Sequence, residues 1–454
     1  MALSEERRRT VIVMTMGFLG GLVMLDETIL GVALPTIRDA LKVSQTHAHW
    51  ILNAYLLAFT CLAAVGGKCM DLFGLRRSMI AAGSLFVIAS LIAGFSDILG
   101  VLIAMRAIQG GCAAIIFPLT LAGATTAFPK EQRGKAIGIL AGTATIFLAA
   151  GPLVGGILTD FVSWRWVFWI NIPIVVGGVA IVCAIWEDQP RKEVRPQIDK
   201  IGLVLVLAGL TALVFALMEG QDYGWTSPVI LGTLVVGLVG LVAFNAYELR
   251  QKAPLVDMAL FKIPVFNASA LIILATQYSK IVVAVFVPFF LQDEMNFSPV
   301  YAGLGMVIAV LPFPILSTTS GNAADKYGSR LPVLIGLAVT AAATGILGGL
   351  MLMKSYLVLA PVLLAWGLAL PFAMIPGGRI AMNAVPMEKQ GEVSGMVITI
   401  RLIGGTLGVT IGSLILSLGL GFPMIFIVSG VLLIAVLGYC FWVLEEEYPA
   451  KKPA

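Results

Sequence analysis

The sequence predicts an all-α polytopic membrane protein with fourteen transmembrane helices: two six-helix bundles and two extra helices between them. Three observations predict it. Of 454 residues, 59% are hydrophobic and 12% charged, with mean hydropathy +0.99; a soluble domain carries roughly a quarter charged residues. Continuous apolar runs of about 20 residues, the length a helix needs to cross hydrocarbon, begin near residues 11, 49, 78, 98, 137, 165, 201, 229, 265, 300, 332, 356, 393 and 422. Runs of this kind exclude a barrel of short alternating strands. Finally, a loop pattern repeats. "GKCMDLFGLRR" from Gly67 and "GNAADKYGSR" from Gly321 both fit G-x3-D-x2-G-x-R, 254 residues apart.

Each copy follows the second helix of a half, which argues for a duplicated six-helix unit. The expected division is residues 1–186 for the first bundle, 187–250 for a linker with two inserted helices, and 251–454 for the second bundle and tail. The linker "EDQPRKEVRPQIDK" is polar and contains proline, as a boundary should. At the N-terminus, "SEERRRT" precedes a long apolar run without a small-residue cleavage site, so the first helix is expected to be retained. With the N-terminus inside, 21 of the 29 Lys and Arg fall on the inner side and four (Arg38, Lys42, Arg165 and Lys354) on the outer. That asymmetry places both termini in the cytoplasm of a cell membrane, plasma or bacterial inner. It also accounts for the net charge of +4 without a nucleic-acid partner.

The five cysteines have no metal-ligand spacing and read as small core residues. His47 and His49, expected in the first outer loop, read as surface histidines. No metal or cofactor is expected. The remaining four basic residues, Arg106, Lys280, Arg379 and Arg401, fall inside apolar runs. A charge at depth costs about 2.5–3.5 kcal/mol on insertion scales, so each should face a partner, a cavity or the helix end.

Two acids interrupt the first helix in "LDETILGVALP", Asp26 and Glu27. Asp26 lies about 15 residues, or roughly 22 Å, into its helix. Neighbours on a helix point about 100° apart, so one acid should face a cavity and the other a neighbouring helix. Desolvation favours the neutral form of a carboxyl. An acid so placed can load a proton on one side and release it on the other, and a cationic cargo competes for the same charge. The 254-residue offset carries Asp26 onto Lys280, with Gln277 three residues before it on the same face. Lys280 is expected to pair with one of the acids in one state, to bind an anionic substrate group, or to pack between helices.

The order of these motifs resembles the major facilitator superfamily, specifically its 14-helix drug:proton antiporter branch. "LDETILGVALP" is similar to the first-helix motif L-D-x-T-[IV]-x-N-V-A-L-P, with Gly31 in place of Asn. The "GKCMDLFGLRR" stretch resembles the loop 2–3 signature. In helix 4, "RAIQGGCAA" is similar to R-x-x-Q-G, "GPLVGG" to the helix-5 antiporter motif, and "WRWVFWINIP" to the start of helix 6. In helix 13, "TIRLIGGTLG" matches T-x-R-Q-x-G-G-x-x-G except that Leu402 replaces Gln.

The resemblance implies a proton-coupled antiporter exporting amphiphilic small molecules, and no enzyme. Its implied proton-coupling residues are Asp26, Glu27 and Arg106. Asp26, Glu27, Asn53, Tyr55, Gln109, Gln277, Lys280 and Arg401 are the substrate-contact candidates. Gating is assigned to Lys68, Asp71, Arg76, Arg133, Gly151, Pro152, Gly155, Asp325 and Arg330. Partners are the substrate, protons and the bilayer, with the chain a monomer. Three competing readings are weaker. An exporter of a lipid, siderophore or anionic metabolite is favoured by Lys280 and the departures at Gly31 and Leu402. A sensor or scaffold would need a soluble domain. An intramembrane enzyme would need paired His/Glu ligands, a Ser–His pair or clustered cysteines. There is no G-x4-G-K-[ST] loop for ATP.

Overall fold

The computed structural model describes residues 5–128, 133–186, 199–251, 254, 258–385 and 390–444. Sixteen α-helices run through them: α1 (Glu5–Leu41), α2 (Gln45–Phe73), α3 (Leu75–Phe95), α4 (Leu99–Ala127), α5 (Arg133–Phe161), α6 (Trp166–Trp169), α7 (Asn171–Ile185), α8 (Lys200–Tyr223) and α9 (Pro228–Glu248). After a 3-10 turn at Met258–Lys262 come α10 (Pro264–Asp293), α11 (Pro299–Val310), α12 (Pro312–Tyr327), α13 (Arg330–Met351), α14 (Tyr356–Asn383), α15 (Gln390–Ser417) and α16 (Gly421–Val443). Two expected spans are broken. One divides into α6 and α7 at Ile170; the other divides into α11 and α12 at Leu311, where Pro312 removes a backbone donor. Thirteen spans among the described residues are long and apolar enough to cross a membrane. The remaining long helix is α2, with 29 residues.

Two compact units divide the chain: residues 1–203 with 297–303, and residues 204–296 with 304–454. Each has the first helix of its half at the centre. α1 and α10 have 89% of their most apolar window buried, against 28% for α6–α7 and 33% for α16. Peripheral helices turn large apolar side chains outward, such as Phe95, Val242 and Trp442, as a hydrocarbon solvent allows. Where helices meet closely, glycine removes the obstacle. A Cβ on Gly110 of α4 would lie 2.2 Å from the Tyr55 carbonyl of α2, and one on Gly404 of α15 would lie 2.3 Å from Leu274 O of α10.

The two matching loops share a backbone. Gly74 has φ 82° and ψ 158°, and Gly328 has φ 79° and ψ 163°, a region open essentially to glycine alone. One expectation fails here. His47 and His49 belong to α2 rather than to a loop, and His49 is fully buried while His47 is exposed. The helix begins at Gln45, earlier than the apolar run, because its first turns bury a polar face. All five cysteines are free, and four of them are buried.

Candidate functional site

The first unit builds its polar centre on α1. Asp26, fully buried, receives hydrogen bonds on both carboxylate oxygens. Arg106 Nη1 of α4 donates to Oδ2 at 2.5 Å, and Asn171 Nδ2 of α7 donates to Oδ1 at 3.0 Å. Arg106 is also fully buried. Its Nε donates to the Ile51 carbonyl of α2 at 3.1 Å, and Nη1 donates to Gln109 Oε1 at 3.0 Å. The guanidinium carbon sits 4.1 Å from the centroid of the Tyr55 ring, a cation–π contact. Gln109 Nε2 continues the chain to Ser90 Oγ of α3 at 2.8 Å, and Ser90 donates to Phe86 O at 2.8 Å. One salt bridge thus joins helices α1, α2, α3, α4 and α7.

The arrangement follows from local rules. Arg106 and Gln109 are three residues apart and share a face of α4. The guanidinium has five donors, and a buried one must be paired or hydrogen-bonded to be tolerated. Within this network, Arg106 Nη2 and Asn171 Oδ1 have no hydrogen-bond partner among the described residues. The network therefore holds a spare donor and a spare acceptor on either side of the carboxylate.

Among the expected site residues, Asp26, Tyr55, Arg106 and Gln109 come together here. Asn53 is fully buried on α2. Glu27 is buried on another row of α1. Met16 and Gly20, which share its face by spacing, pack on Gly123 and Thr120 of α4. Sequence reasoning gave Asn171 and Ser90 no role. The available signal was one amide and one hydroxyl within apolar runs.

In helix α5, Cβ atoms on Gly151 and Gly155 would meet Thr28 Oγ1 at 2.0 Å and Ile29 O at 2.6 Å, both on α1. Gly156 packs on Pro299, and Gly303 on Pro152, within the same compact unit. The motif is a close-packing face around the Pro152 position. Arg76 is exposed. The side chains of Lys68, Asp71 and Arg133 lie outside the described residues.

In the second unit, Lys280 is 6% exposed and Gln277 fully buried. The Gln277 side chain lies 3.8 Å from the Cβ position of Gly405 on α15, the helix that also carries the half-buried Arg401. The polar cluster of this unit falls one residue before Lys280. Ser279 Oγ receives Trp366 Nε1 of α14 at 2.9 Å and contacts Thr344 Oγ1 of α13 at 3.2 Å. Asp325 of the second loop pairs with Arg379, while Arg330 donates to Phe441 O at 3.3 Å.

A pair of prolines gives a second register for the repeat. Pro35 of α1 and Pro288 of α10, both inside their helices, are 253 residues apart. At that register Asp26 corresponds to Ser279, and Glu27 to Lys280. Ser269, which shares the Lys280 face by spacing, bonds Gly377 O of α14 at 2.6 Å. Glu27 and Lys280 thus sit on equivalent rows toward α4 and α14.

A family profile described as Major Facilitator Superfamily matches residues 16–276 and 268–454. The chain belongs to the major facilitator superfamily. As a member of that superfamily it is a multi-pass membrane transporter rather than an enzyme. It is 31% identical to the puromycin resistance protein pur8 of Streptomyces alboniger, over 86% of this chain and 78% of that one. The cephamycin export protein CmcT of Amycolatopsis lactamdurans is 32% identical, over 86% and 81%. Among solved structures, a D-xylose–proton symporter aligns with TM-score 0.70 at 16% identity, covering 98% of this chain and 99% of that one, a likeness of fold alone.

Proposed function

We propose that this transporter is a proton-coupled antiporter that exports amphiphilic small molecules by alternating access, with Asp26 as the proton carrier. The observation that carries the reading is the fully buried Asp26–Arg106 pair. The pair is neutral as a unit. A proton added to Asp26 in this arrangement would strand the Arg106 charge without solvent, which costs several kcal/mol. Proton uptake therefore belongs to a state in which water reaches the pair, and neutralising Asp26 favours leaving the present one. Arg106 Nη2 and Asn171 Oδ1 are the spare groups onto which the network rearranges. One proton moves inward on Asp26, and release restores the bridge as cargo leaves. The names of the relatives, resistance and export proteins for puromycin and cephamycin, support export of drug-like cargo.

Both termini are assigned to the cytoplasm on the Lys and Arg distribution. The two loops and the α5 glycine face are assigned to gating on their shared backbone and close packing. A second reading rests on Lys280, an amine 6% exposed in an apolar helix. It would suit an exported lipid, siderophore or anionic metabolite. Transport of an anion at wild-type rate by Lys280→Ala would remove it.

The test is transport in proteoliposomes under an imposed pH gradient, with a lipophilic cation as cargo. Wild-type protein is expected to accumulate it only while the gradient persists, and Asp26→Asn to lose that dependence. Gradient-driven pumping that survives replacement of both Asp26 and Glu27 by their amides would sink the mechanism.

A further inference from the structure

The first unit carries a crevice between α1 and α7 of about 500 Å³. Its walls include Val11, Met14 and Phe18 on one side and Ile174, Gly177 and Ile181 on the other. The two threonine hydroxyls at its edge are already spent inside α1. Thr10 donates to Glu6 O at 3.0 Å and Thr15 to Val11 O at 2.8 Å. The surface offered is therefore apolar, and from Thr10 to Phe18 it runs about 12 Å along the helix.

The N-terminal end of the crevice is basic. Arg8, in the turn before Val11, donates from Nη2 and Nε to the Ile185 carbonyl at the end of α7 at 2.8 and 3.2 Å. Arg7 is exposed. Arg7, Val11, Met14 and Phe18 follow the i, i+4, i+7, i+11 spacing of one helix face, so an exposed arginine ends the apolar row. Glu6, the described acid nearest in sequence, lies about 100° away around the helix. An apolar slot ending in a guanidinium matches one ligand chemistry, an acyl chain joined to a phosphate. A free phosphate would leave the slot unused, and a neutral amphiphile would leave Arg7 unused.

We infer that this crevice is a binding site for an anionic phospholipid of the leaflet on the N-terminal side, with its phosphate at Arg7 and one acyl chain between α1 and α7. The proposal stands apart from proton coupling and from cargo. Gly177 supplies the means to test it, because a side chain added there meets nothing within 4 Å. Gly177 lines the slot, so Gly177→Leu places a side chain into it from a position with room for the Cβ. By contrast, a Cβ on Gly178 would meet Leu19 at 2.6 Å.

Native mass spectrometry of the detergent-purified full chain, titrated with phosphatidylglycerol or phosphatidylethanolamine, is the experiment. Wild-type protein is expected to retain one phosphatidylglycerol in preference to phosphatidylethanolamine. Arg7→Gln should lower that preference about five-fold, the effect of one basic residue at a membrane surface. Gly177→Leu should abolish retention, and Arg250→Gln, at an exposed arginine after α9, should leave it unchanged. Equal retention by all four proteins means annular lipid only and overturns the site. An equal drop in Arg7→Gln and Arg250→Gln means general surface charge and overturns it too, as does complete displacement by inorganic phosphate.

Discussion

The centres of the two units solve the same packing problem with different chemistry. In the first, Asp26 on α1 reaches α4 through Arg106 and α7 through Asn171. In the second, two adjacent residues of α10 divide those roles: Ser279 reaches α14 through Trp366, and Tyr278 reaches α16 through Ser429 at 3.0 Å. Both centres are buried and hydrogen-bonded. The Asp26–Arg106 pair gives the first a carboxylate that can take up a proton, whereas the Ser279 cluster is built of hydroxyls and an indole. The neutral cluster holds α10, α13, α14 and α16 together and is indifferent to pH over the physiological range. The contrast separates two kinds of centre: one built on the Asp26–Arg106 pair, the other on hydroxyls and an indole beside the buried Lys280.

Breaking the charged centre gives the largest expected effect. Arg106→Gln leaves a buried carboxylate without its cation and should cost about 3–5 kcal/mol of stability, the usual result of removing one partner of a buried pair. Asp26→Asn leaves the opposite charge unpaired and should also destabilise. Combining Asp26→Asn with Arg106→Gln removes both charges, and its thermal midpoint in detergent should lie above that of Arg106→Gln alone. A double variant as unstable as the sum of the single ones would mean that the two residues act independently. Gradient-driven transport should be lost in all three proteins, including the one whose stability is regained.

How far the sequence discloses this differs by residue. The helices are legible because length and apolarity are local properties, and a charge inside such a run announces itself. Asp26, Arg106 and Lys280 all stand out on that ground. Their partners do not, because the Asp26–Arg106 bond spans 80 residues and depends on how α1 and α4 pack. Asn171 and Ser90 escape notice since an amide or a hydroxyl is tolerated in a membrane helix for many reasons. The breaks at Ile170 and Leu311 are likewise invisible to a measure of apolarity. A loop motif fixes the register only of its own neighbourhood: the offset is 254 residues at the loops and 253 at Pro35 and Pro288. That single residue decides whether Asp26 or Glu27 is the counterpart of Lys280.

Where the two units agree, equal effects are expected. Gly74 and Gly328 hold the same left-handed backbone, and an added Cβ is strained there whatever space surrounds it. Gly74→Ala and Gly328→Ala should each cost about 1–3 kcal/mol, measured as a lowered thermal midpoint. Similar losses in the two variants would support one loop design used twice. A loss confined to one copy would show that the matching sequences serve different ends.

The neutral centre gives the smallest effect and the sharpest contrast. Trp366→Phe keeps most of the ring and deletes the bond from Nε1 to Ser279. Ser279→Ala deletes the acceptor of that bond and also the contact with Thr344 Oγ1. A net contribution of about 1 kcal/mol is usual for one intramolecular hydrogen bond. Trp366→Phe should lose about that much, and Ser279→Ala somewhat more, because it strands the indole N–H in a buried setting. Neither substitution alters a charge. The dependence of transport on the pH gradient should therefore match wild type in both, even where the rate falls. A shifted pH profile in Ser279→Ala would connect the neutral cluster to proton movement and dissolve the division between a charged centre that couples and a neutral cluster that supports.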